Sequence, residues 1–259
     1  MKEKLYNLPE YYDVAFSWDI ASEINLLHTC FNNHVIFPVK TILEPGCGTG
    51  RFLVSLPKYG YNVTGYDNNP KMVEYAKKRI FEEGVDNAAS VVLKDMLTAR
   101  FTTKFDAAFN SINSLVYLLS DDDIIAHLRN TGKSLRRGGI YIVHISCAWK
   151  NLDTSNYHEW TCERDGIKIK TRWKIEKEDS EKRLSYQICT MDIDDNGKQI
   201  KLKDHHTMRL WIFEDLKALI HTSGKFTLEA IYTEKQEKIS LTTHISGELG
   251  NLYFVLKTS

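Results

Sequence analysis

The sequence predicts an α/β protein: a seven-stranded, mostly parallel sheet with helices on both faces, interrupted after its fifth strand by an antiparallel β insertion. Three observations carry this. From Thr41 to Ile145, short apolar runs alternate with segments of helical period, the pattern of strands joined by crossover helices. The stretch TILEPGCGTG, residues 41–50, ends the first strand in a glycine-rich turn and leads into a helix. From Trp149 to Trp211 the pattern changes to short alternating runs separated by turn residues.

The elements follow in order. Tyr11 to Asn32 reads as one helix over a sheet edge, with Ile20, Ile24, Leu27 and Phe31 at helical spacing and Trp18 as packing. Ile42 and Leu43 form the first strand, and Glu44 stands just before Gly46, Gly48 and Gly50. Glycine lets the backbone turn tightly and lets a ligand lie against the peptide plane. Arg51 to Leu56 starts a helix whose free amides face the same ligand. Tyr61 to Gly65 is the second strand, and it delivers Asp67 seventeen positions after Gly50. A carboxylate there can accept hydrogen bonds from both hydroxyls of a ribose. Strand, glycine turn, helix, strand and acid together make a nucleoside-binding half-fold; the blander alternative is an Asp67 that only caps the next helix.

That helix begins at Pro70, capped by Asn68 or Asn69, and buries Met72, Val73, Ala76 and Ile80. Ser90 to Leu93 is the third strand, leading to Asp95. Phe105 to Phe109 is the fourth, followed by a loop, Asn110 to Asn113. A helix capped within Ser120–Asp122 presents Ile124, Ile125, Leu128 and Leu135, and Gly138-Gly139 turns into the fifth strand, Ile140 to Ile145. The insertion contains runs at Ile167–Ile175, Arg183–Ile193 and Gln199–Trp211, with Asp194-Asp195-Asn196-Gly197 as its clearest hairpin turn. The core resumes with a helix, Phe213 to Thr222, a strand from Phe226 to Tyr232, a polar loop from Glu234 to Gly250, and a last strand, Asn251 to Lys257.

The spacing GxGxG differs from the dinucleotide pattern G-x-G-x-x-G/A, and a carboxylate at Glu44 would repel a pyrophosphate while suiting a ligand that carries an ammonium group. S-adenosylmethionine (SAM) is such a ligand. ILEPGCGTG, YDNNPKMVEYAKKR, KDM at Lys94–Met96, FDAAFNSINSLVYL and LRRGGIYIVHI, in this order from about Val39 to Cys147, resemble the successive motifs of class I SAM-dependent methyltransferases, which have a Rossmann-like fold. HHTMRLWIFEDLKALI resembles a segment of their small-molecule branch. The resemblance implies that Gly46, Cys47 and Gly48 approach the methionine part of SAM, Glu44 its amino group, Asp67 and Asn68 the ribose, Asp95 the adenine amino group and Met96 an adenine face. Asn110 and Ser111 are then expected under the sulfonium.

The implied organisation is a helical lid (1–38), a SAM-binding core (39–148), an antiparallel acceptor cap (149–211) and a C-terminal completion of the core (212–259). Tyr11 or Tyr12 of the lid is expected to line the site. Tyr11, Tyr117, His144, His205, His206 and Arg209 are candidate bases or acceptor-binding groups, each with a structural alternative. His205 and His206 point to opposite sides of a regular strand, so the pair makes a poor metal site and no metal is expected. The sequence lacks an Asn/Asp-Pro-Pro-Tyr motif, a ribose-methylation tetrad and an acidic metal cluster, which leaves a small acceptor methylated on nitrogen or oxygen. An NAD-dependent oxidoreductase and a non-catalytic SAM-binding module are the competing readings.

Composition agrees with an acceptor other than nucleic acid. Lysine plus arginine and aspartate plus glutamate each total 34, so the net charge is zero, whereas phosphate contacts favour a basic surface. No apolar run reaches the roughly 20 residues of a membrane span, and the start, MKEKLYNLPEYYD, lacks the apolar core of a secretion signal, so a cytoplasmic location is expected. The five cysteines are scattered and suggest free thiols. Amino-sugar and amine methyltransferases of this type include dimers, so the resemblance allows a homodimer.

Overall fold

A computed structural model describes residues 4–111, 113–147, 157–241 and 251–258. Its main sheet is built from β1 (Thr41–Pro45), β2 (Asn62–Asp67), β3 (Ala89–Leu93), β4 (Phe105–Asn110) and β5 (Leu135–Ser146), all parallel, with β10 (Phe226–Thr233) and β12 (Asn251–Thr258) completing it. The spatial order of these seven is β10-β12-β5-β4-β1-β2-β3. The expected seven strands are joined by an eighth, β11 (Lys238–Ile239), which pairs antiparallel with β10 inside the segment expected to be a loop. Residues 242–250 of that segment lie outside the described residues.

Strand order reverses at β1, which has β2 on one side and β4 on the other. Loops leaving the carboxyl ends of β1 and β4 therefore diverge and open a crevice, the usual ligand position in such sheets. The central parallel strands β1, β4 and β5 are largely buried, and β4 is buried at every residue. Alternation along them separates two cores. Ile42, Ala107, Ile140 and Ile142 face α2 (Ala21–His34), α3 (Arg51–Ser55) and α4 (Pro70–Glu82). Leu43, Ala108, Tyr141 and Val143 face α5 (Asp121–Ser134) and α6 (Phe213–Ser223).

Local chemistry explains the boundaries. Asn69 Oδ1 accepts from the Lys71 and Met72 amides at 2.9 and 3.3 Å, and Pro70 starts α4. Ser120 Oγ caps α5 by accepting from the Asp123 amide, and Gly224, at φ 62°, ends α6. The glycine turn expected before the fifth strand lies within β5: the pairing with β4 jumps from Phe105↔Leu135 to Ala107↔Ile140, so Arg136–Gly139 bulges out. Leu135, expected on α5, is the first residue of this strand.

The N-terminal expectation needs correction. The single helix is two, α1 (Pro9–Ala15) and α2, because the chain turns between them and Asp19 Oδ1 accepts from the Ala21 amide at 3.0 Å. Helix α2 packs on a sheet face, contributing Ile24, Leu27 and Phe31 to the first core.

A second, four-stranded antiparallel sheet follows β5, with β6 (Tyr157–Arg164), β7 (Ile167–Asp179), β8 (Leu184–Asp195) and β9 (Lys198–Arg209) in sequential order. The sequence runs mark β7 to β9 and miss β6, whose exposed, polar alternation gives no apolar signal. Asn196-Gly197 joins β8 to β9 with both residues at positive φ, the hairpin geometry that Asn-Gly favours. Ile169, Cys189, Met191, Ile193 and Leu202 form one apolar face, which packs on Leu5, Val14, Ala15 and Phe16 of the N-terminal segment. Asp13 anchors this segment: its buried carboxylate receives Arg79 Nη1 and Arg164 Nη2, each at 2.6 Å, tying α1 to α4 and β6.

Candidate functional site

Gly46, Gly48 and Gly50 all adopt positive φ as the chain leaves β1. A Cβ on Gly46 would meet Ser114 Cβ at 3.2 Å, so the turn sits tightly against the loop after β4. At Gly48 it would meet only Tyr12 Cε1, at 3.9 Å. The backbone there faces space roofed by the Tyr12 ring, which stacks on Phe16 at 4.4 Å.

Two buried ionisable groups flank this space. Glu44 is 2 % exposed and its Oε2 has no hydrogen-bond partner; burial, opposed by Arg51 and aided by Asp67, pushes its carboxyl up to about 8. Arg51 is 9 % exposed; Nη1 donates to the Phe16 carbonyl at 2.9 Å, its guanidinium lies 5.2 Å from the Trp18 ring, and Nη2 is unpaired. Leaving a buried polar atom unpaired costs on the order of 1–3 kcal/mol, so the pair is suited to a ligand bringing an ammonium and a carboxylate.

Asp67 accepts from the Gly48 amide through Oδ2 and the Asn69 amide through Oδ1, both at 2.9 Å; burial raises its pKa against these amides. Asp95 Oδ1 accepts from the Leu97 amide at 2.8 Å and Oδ2 from Asn68 Nδ2 at 3.2 Å, which sets Asp67, Asn68 and Asp95 along one rim. Met96 is half-buried in the second core. Fully buried Asn110 donates from Nδ2 to the Pro45 carbonyl at 2.7 Å, joining the ends of β4 and β1, and its Oδ1 is unpaired. Ser111 is also buried, and its carbonyl accepts from Ser114 Oγ at 3.0 Å. A Cβ on Gly65 would lie 2.8 Å from Cys47 Sγ, so this thiol packs behind the turn and the Cys47 backbone is the part that can face a ligand. Burial also raises that thiol's pKa.

The acceptor-side candidates separate. Tyr11 donates its hydroxyl to Asp195 Oδ2 at 2.9 Å, at the hairpin tip of the second sheet, which corrects the expectation that it lines the site; Tyr12 takes that place. Arg209 uses both terminal nitrogens internally, donating to Asp121 Oδ1 and to the Leu119 carbonyl, and lies 4.8 Å from the Trp211 ring; its buried Nε has no hydrogen-bond partner. His206 is buried, stacks on Trp173 at 4.8 Å and shares a 3.2 Å hydrogen bond between Nδ1 and the Tyr117 hydroxyl. Tyr117 in turn meets Tyr6 at 2.6 Å, and burial lowers the pKa of His206. His205 points away, 3.4 Å from Glu176. His144, at the end of β5, belongs to another cluster: it stacks on Tyr253 at 4.1 Å and its Nε2 lies 3.8 Å from Glu234 Oε1. Among the described residues, no group of three or more His, Cys, Asp or Glu is arranged to hold a metal ion.

Arg51 and Tyr6 carried no motif. Only Arg51 had a local signal, a charge directly after the glycine turn.

Residues 42–139 match the family model of the methyltransferase domain. Those residues form a SAM-dependent methyltransferase domain. Human EEF1A lysine methyltransferase 2 is 26% identical over 160 residues, covering 60% of this chain and 67% of that protein. The chain covers 43% to 64% of the next three curated methyltransferases that it matches. Among solved structures, a SAM-dependent methyltransferase from Clostridium acetobutylicum ATCC 824 aligns with a TM-score of 0.76 at 18% identity, over 96% of each chain. The sugar N-methyltransferase KedS8 from Streptoalloteichus sp ATCC 53650 aligns at 0.73 and 16%, over 100% of this chain and 93% of that one. At such identity these two likenesses speak to the fold. SAM is the cofactor of a methyltransferase domain of this class, and the residues present fit it: the unpaired atoms of Glu44 and Arg51 complement its amino-acid head, and Gly48 leaves the approach open. No helix among the described residues is long and apolar enough to cross a membrane.

Proposed function

We propose that this protein transfers a methyl group from SAM to nitrogen or oxygen of a small-molecule acceptor. One observation supports the acceptor class most: the N-terminal segment is wedged between the second sheet and the glycine turn, with Tyr12 above Gly48 and Tyr6 hydrogen-bonded to Tyr117. Such a wedge suits a compact acceptor better than a folded protein surface, and KedS8, of the same fold, is a sugar N-methyltransferase. The human relative, a lysine methyltransferase, represents the other possibility for a protein of this class.

The bound cofactor supplies a methyl carbon attached to a positively charged sulfur that leaves without acid assistance. Glu44 and Arg51 would hold its ammonium and carboxylate, Asp67 its ribose hydroxyls, and Asp95 with Asn68 its adenine edge, while Met96 would pack on the ring. Asn110, fixed to the Pro45 carbonyl, forms the floor between β1 and β4. Tyr6, Tyr117 and His206 close the acceptor side and keep water out. Fixing both reactants in this way can lower a barrier by about 7–11 kcal/mol in favourable cases, so alignment is the main contribution of the chain.

Calorimetry with SAM, S-adenosylhomocysteine, NAD and NADP tests the cofactor assignment. Binding of the first two alone, lost in Asp67→Ala, is expected. Incubation of a cell extract with radiolabelled SAM then separates the acceptor classes. Label in the small-molecule fraction supports the proposal, label in protein overturns its acceptor class, and binding without any transfer indicates a non-catalytic module.

A further inference from the structure

A second cavity lies at the opposite end of the main sheet from the cofactor turn, where β4 and β5 begin. Its volume is about 430 Å³, and it is bordered by Lys104, Lys133, Arg136, Arg137 and Lys225; no acidic residue among the described residues lines it. The strand from Phe105 to Asn110, at roughly 3.3 Å per residue, puts about 17 Å between this cavity and the crevice. The two are separate. The chain as a whole is neutral, with 34 basic and 34 acidic residues, so an acid-free group of five cations is a local segregation of charge.

Helix ends account for part of it. The cavity borders the carbonyl ends of α5 and α6, where basic side chains offset the helix dipole. Lys133 belongs to the last turn of α5, and Lys104 Nζ donates to the Lys133 carbonyl. Arg136 is held by Asp106, Nη1 to Oδ1 at 2.6 Å. Each helix end carries about half a negative charge, so the two ends and Asp106 offset about two of the five positive charges. Lys133, Arg137 and Lys225 have no ion-pair partner among the described residues.

The rest follows from the β5 bulge. A regular strand would send Arg136 and Arg137 to opposite faces, whereas both border this cavity. The bulge that allows this is fixed: Gly138 sits at φ 76°, and the Thr258 hydroxyl lies 2.8 and 3.2 Å from the Arg136 and Gly139 carbonyls. On the other side, a Cβ on Gly132 would meet Lys225 Cβ at 2.8 Å, so glycine there lets the Lys225 stem pack against α5. Offsetting two helix dipoles requires neither the bulge nor its two arginines. We infer that this cavity binds a compact polyphosphate, either free or as the phosphate tail of a nucleotide. A triphosphate matches the unneutralised charge in a compact form, the Arg137 fork suits phosphate oxygens, and the lysines act as point charges. The volume is that of a small-ligand site, and a nucleic-acid backbone would call for a basic surface extending beyond it. The inference holds whichever acceptor is methylated.

Calorimetry on the full chain tests it with sodium tripolyphosphate, orthophosphate, UTP and a short single-stranded RNA, all in the presence of excess S-adenosylhomocysteine to keep the nucleotide out of the cofactor crevice. Tripolyphosphate should bind at one site per chain, at least about tenfold more tightly than orthophosphate. The double variant Lys133→Gln/Arg137→Gln changes two exposed side chains outside the cofactor site. It should weaken tripolyphosphate at least about tenfold and leave S-adenosylhomocysteine affinity at the wild-type value. UTP binding more tightly than tripolyphosphate, and weakened in the same variant, supports a nucleotide source; equal or weaker UTP binding supports the free polyphosphate. No tripolyphosphate binding, or binding unchanged in the double variant, overturns the inference. RNA bound at least about a hundredfold more tightly than tripolyphosphate, and released by the same substitutions, overturns it in favour of a nucleic-acid face. If the double variant also loses S-adenosylhomocysteine, the salt dependence of the wild-type chain decides. A fall in tripolyphosphate affinity of at least about tenfold between about 50 and 300 mM KCl supports the site, and an unchanged affinity overturns it.

Discussion

The cofactor side and the acceptor side of this crevice are built in opposite ways. The cofactor side is local: Glu44, the glycine turn, Asp67 and Asp95 all lie within about fifty residues, and the key contacts are backbone amides such as Gly48 N–H to Asp67. The proposed acceptor side is assembled from distant parts of the chain: Tyr6 meets Tyr117 and His206 across separations of 111 and 200 positions in sequence. A motif can specify the first kind of site. The second depends on how two sheets and an N-terminal segment dock, so it is free to vary while the cofactor site stays the same.

Substitutions that act on one side only sharpen this contrast. The largest effect is expected from Gly48→Val, which places a β-branched residue at φ 51° and fills the space under Tyr12. SAM affinity by calorimetry should fall by more than about 10²-fold, with secondary structure by circular dichroism retained. Next, Asp13→Ala removes a buried carboxylate and leaves Arg79 and Arg164 without it. Breaking such a pair costs about 3–5 kcal/mol, so chemical denaturation should show a loss of this order, while SAM affinity weakens only as far as Tyr12 loses its support.

The third prediction concerns pH. Glu44 is held up to about 8, above the ordinary glutamate value of about 4.3. In the free protein its contribution to stability is therefore fully present below the ordinary value and is lost as pH rises through 8. Binding an ammonium requires the ionised carboxylate, so SAM affinity should rise by up to about tenfold per pH unit between 6 and 8. Glu44→Gln should flatten both dependences. The smallest effect is expected from Arg209→Met. It removes contacts to Leu119 and Asp121 at the edge of the acceptor wall, so the melting temperature should fall by a few degrees, corresponding to about 1 kcal/mol. Acceptor kcat/KM should stay within about twofold; a larger drop would return Arg209 to the site.

Much of the fold was legible because each core strand announces itself. Buried parallel strands are continuous apolar runs, Asn69-Pro70 and Ser120 are explicit helix starts, and Asn196-Gly197 permits one kind of hairpin. Strand β6 was not legible because it is exposed and polar, and the division of the N-terminal helix was hidden because neither proline nor glycine stands between Val14 and Ile24 to mark it. In the site, Tyr11 and Tyr12 are adjacent in sequence and equally plausible. On a helix such neighbours are about 100° apart, and the docking of α1 alone sends one to Asp195 and the other over Gly48.

The sequence by itself determined the parallel core, its glycine turn and the acids around it, because those features need particular residue types at fixed short spacings. Tertiary structure decided what stands opposite them. It turned the Cys47 thiol inward, joined Arg209 to a helix start, buried Arg51 near Glu44 and set Glu234 beside His144. The physical reason is that charge and hydrogen-bonding capacity belong to a residue, whereas desolvation and partnership belong to its surroundings. Only folding places these groups where an unpaired atom has to be met by a ligand.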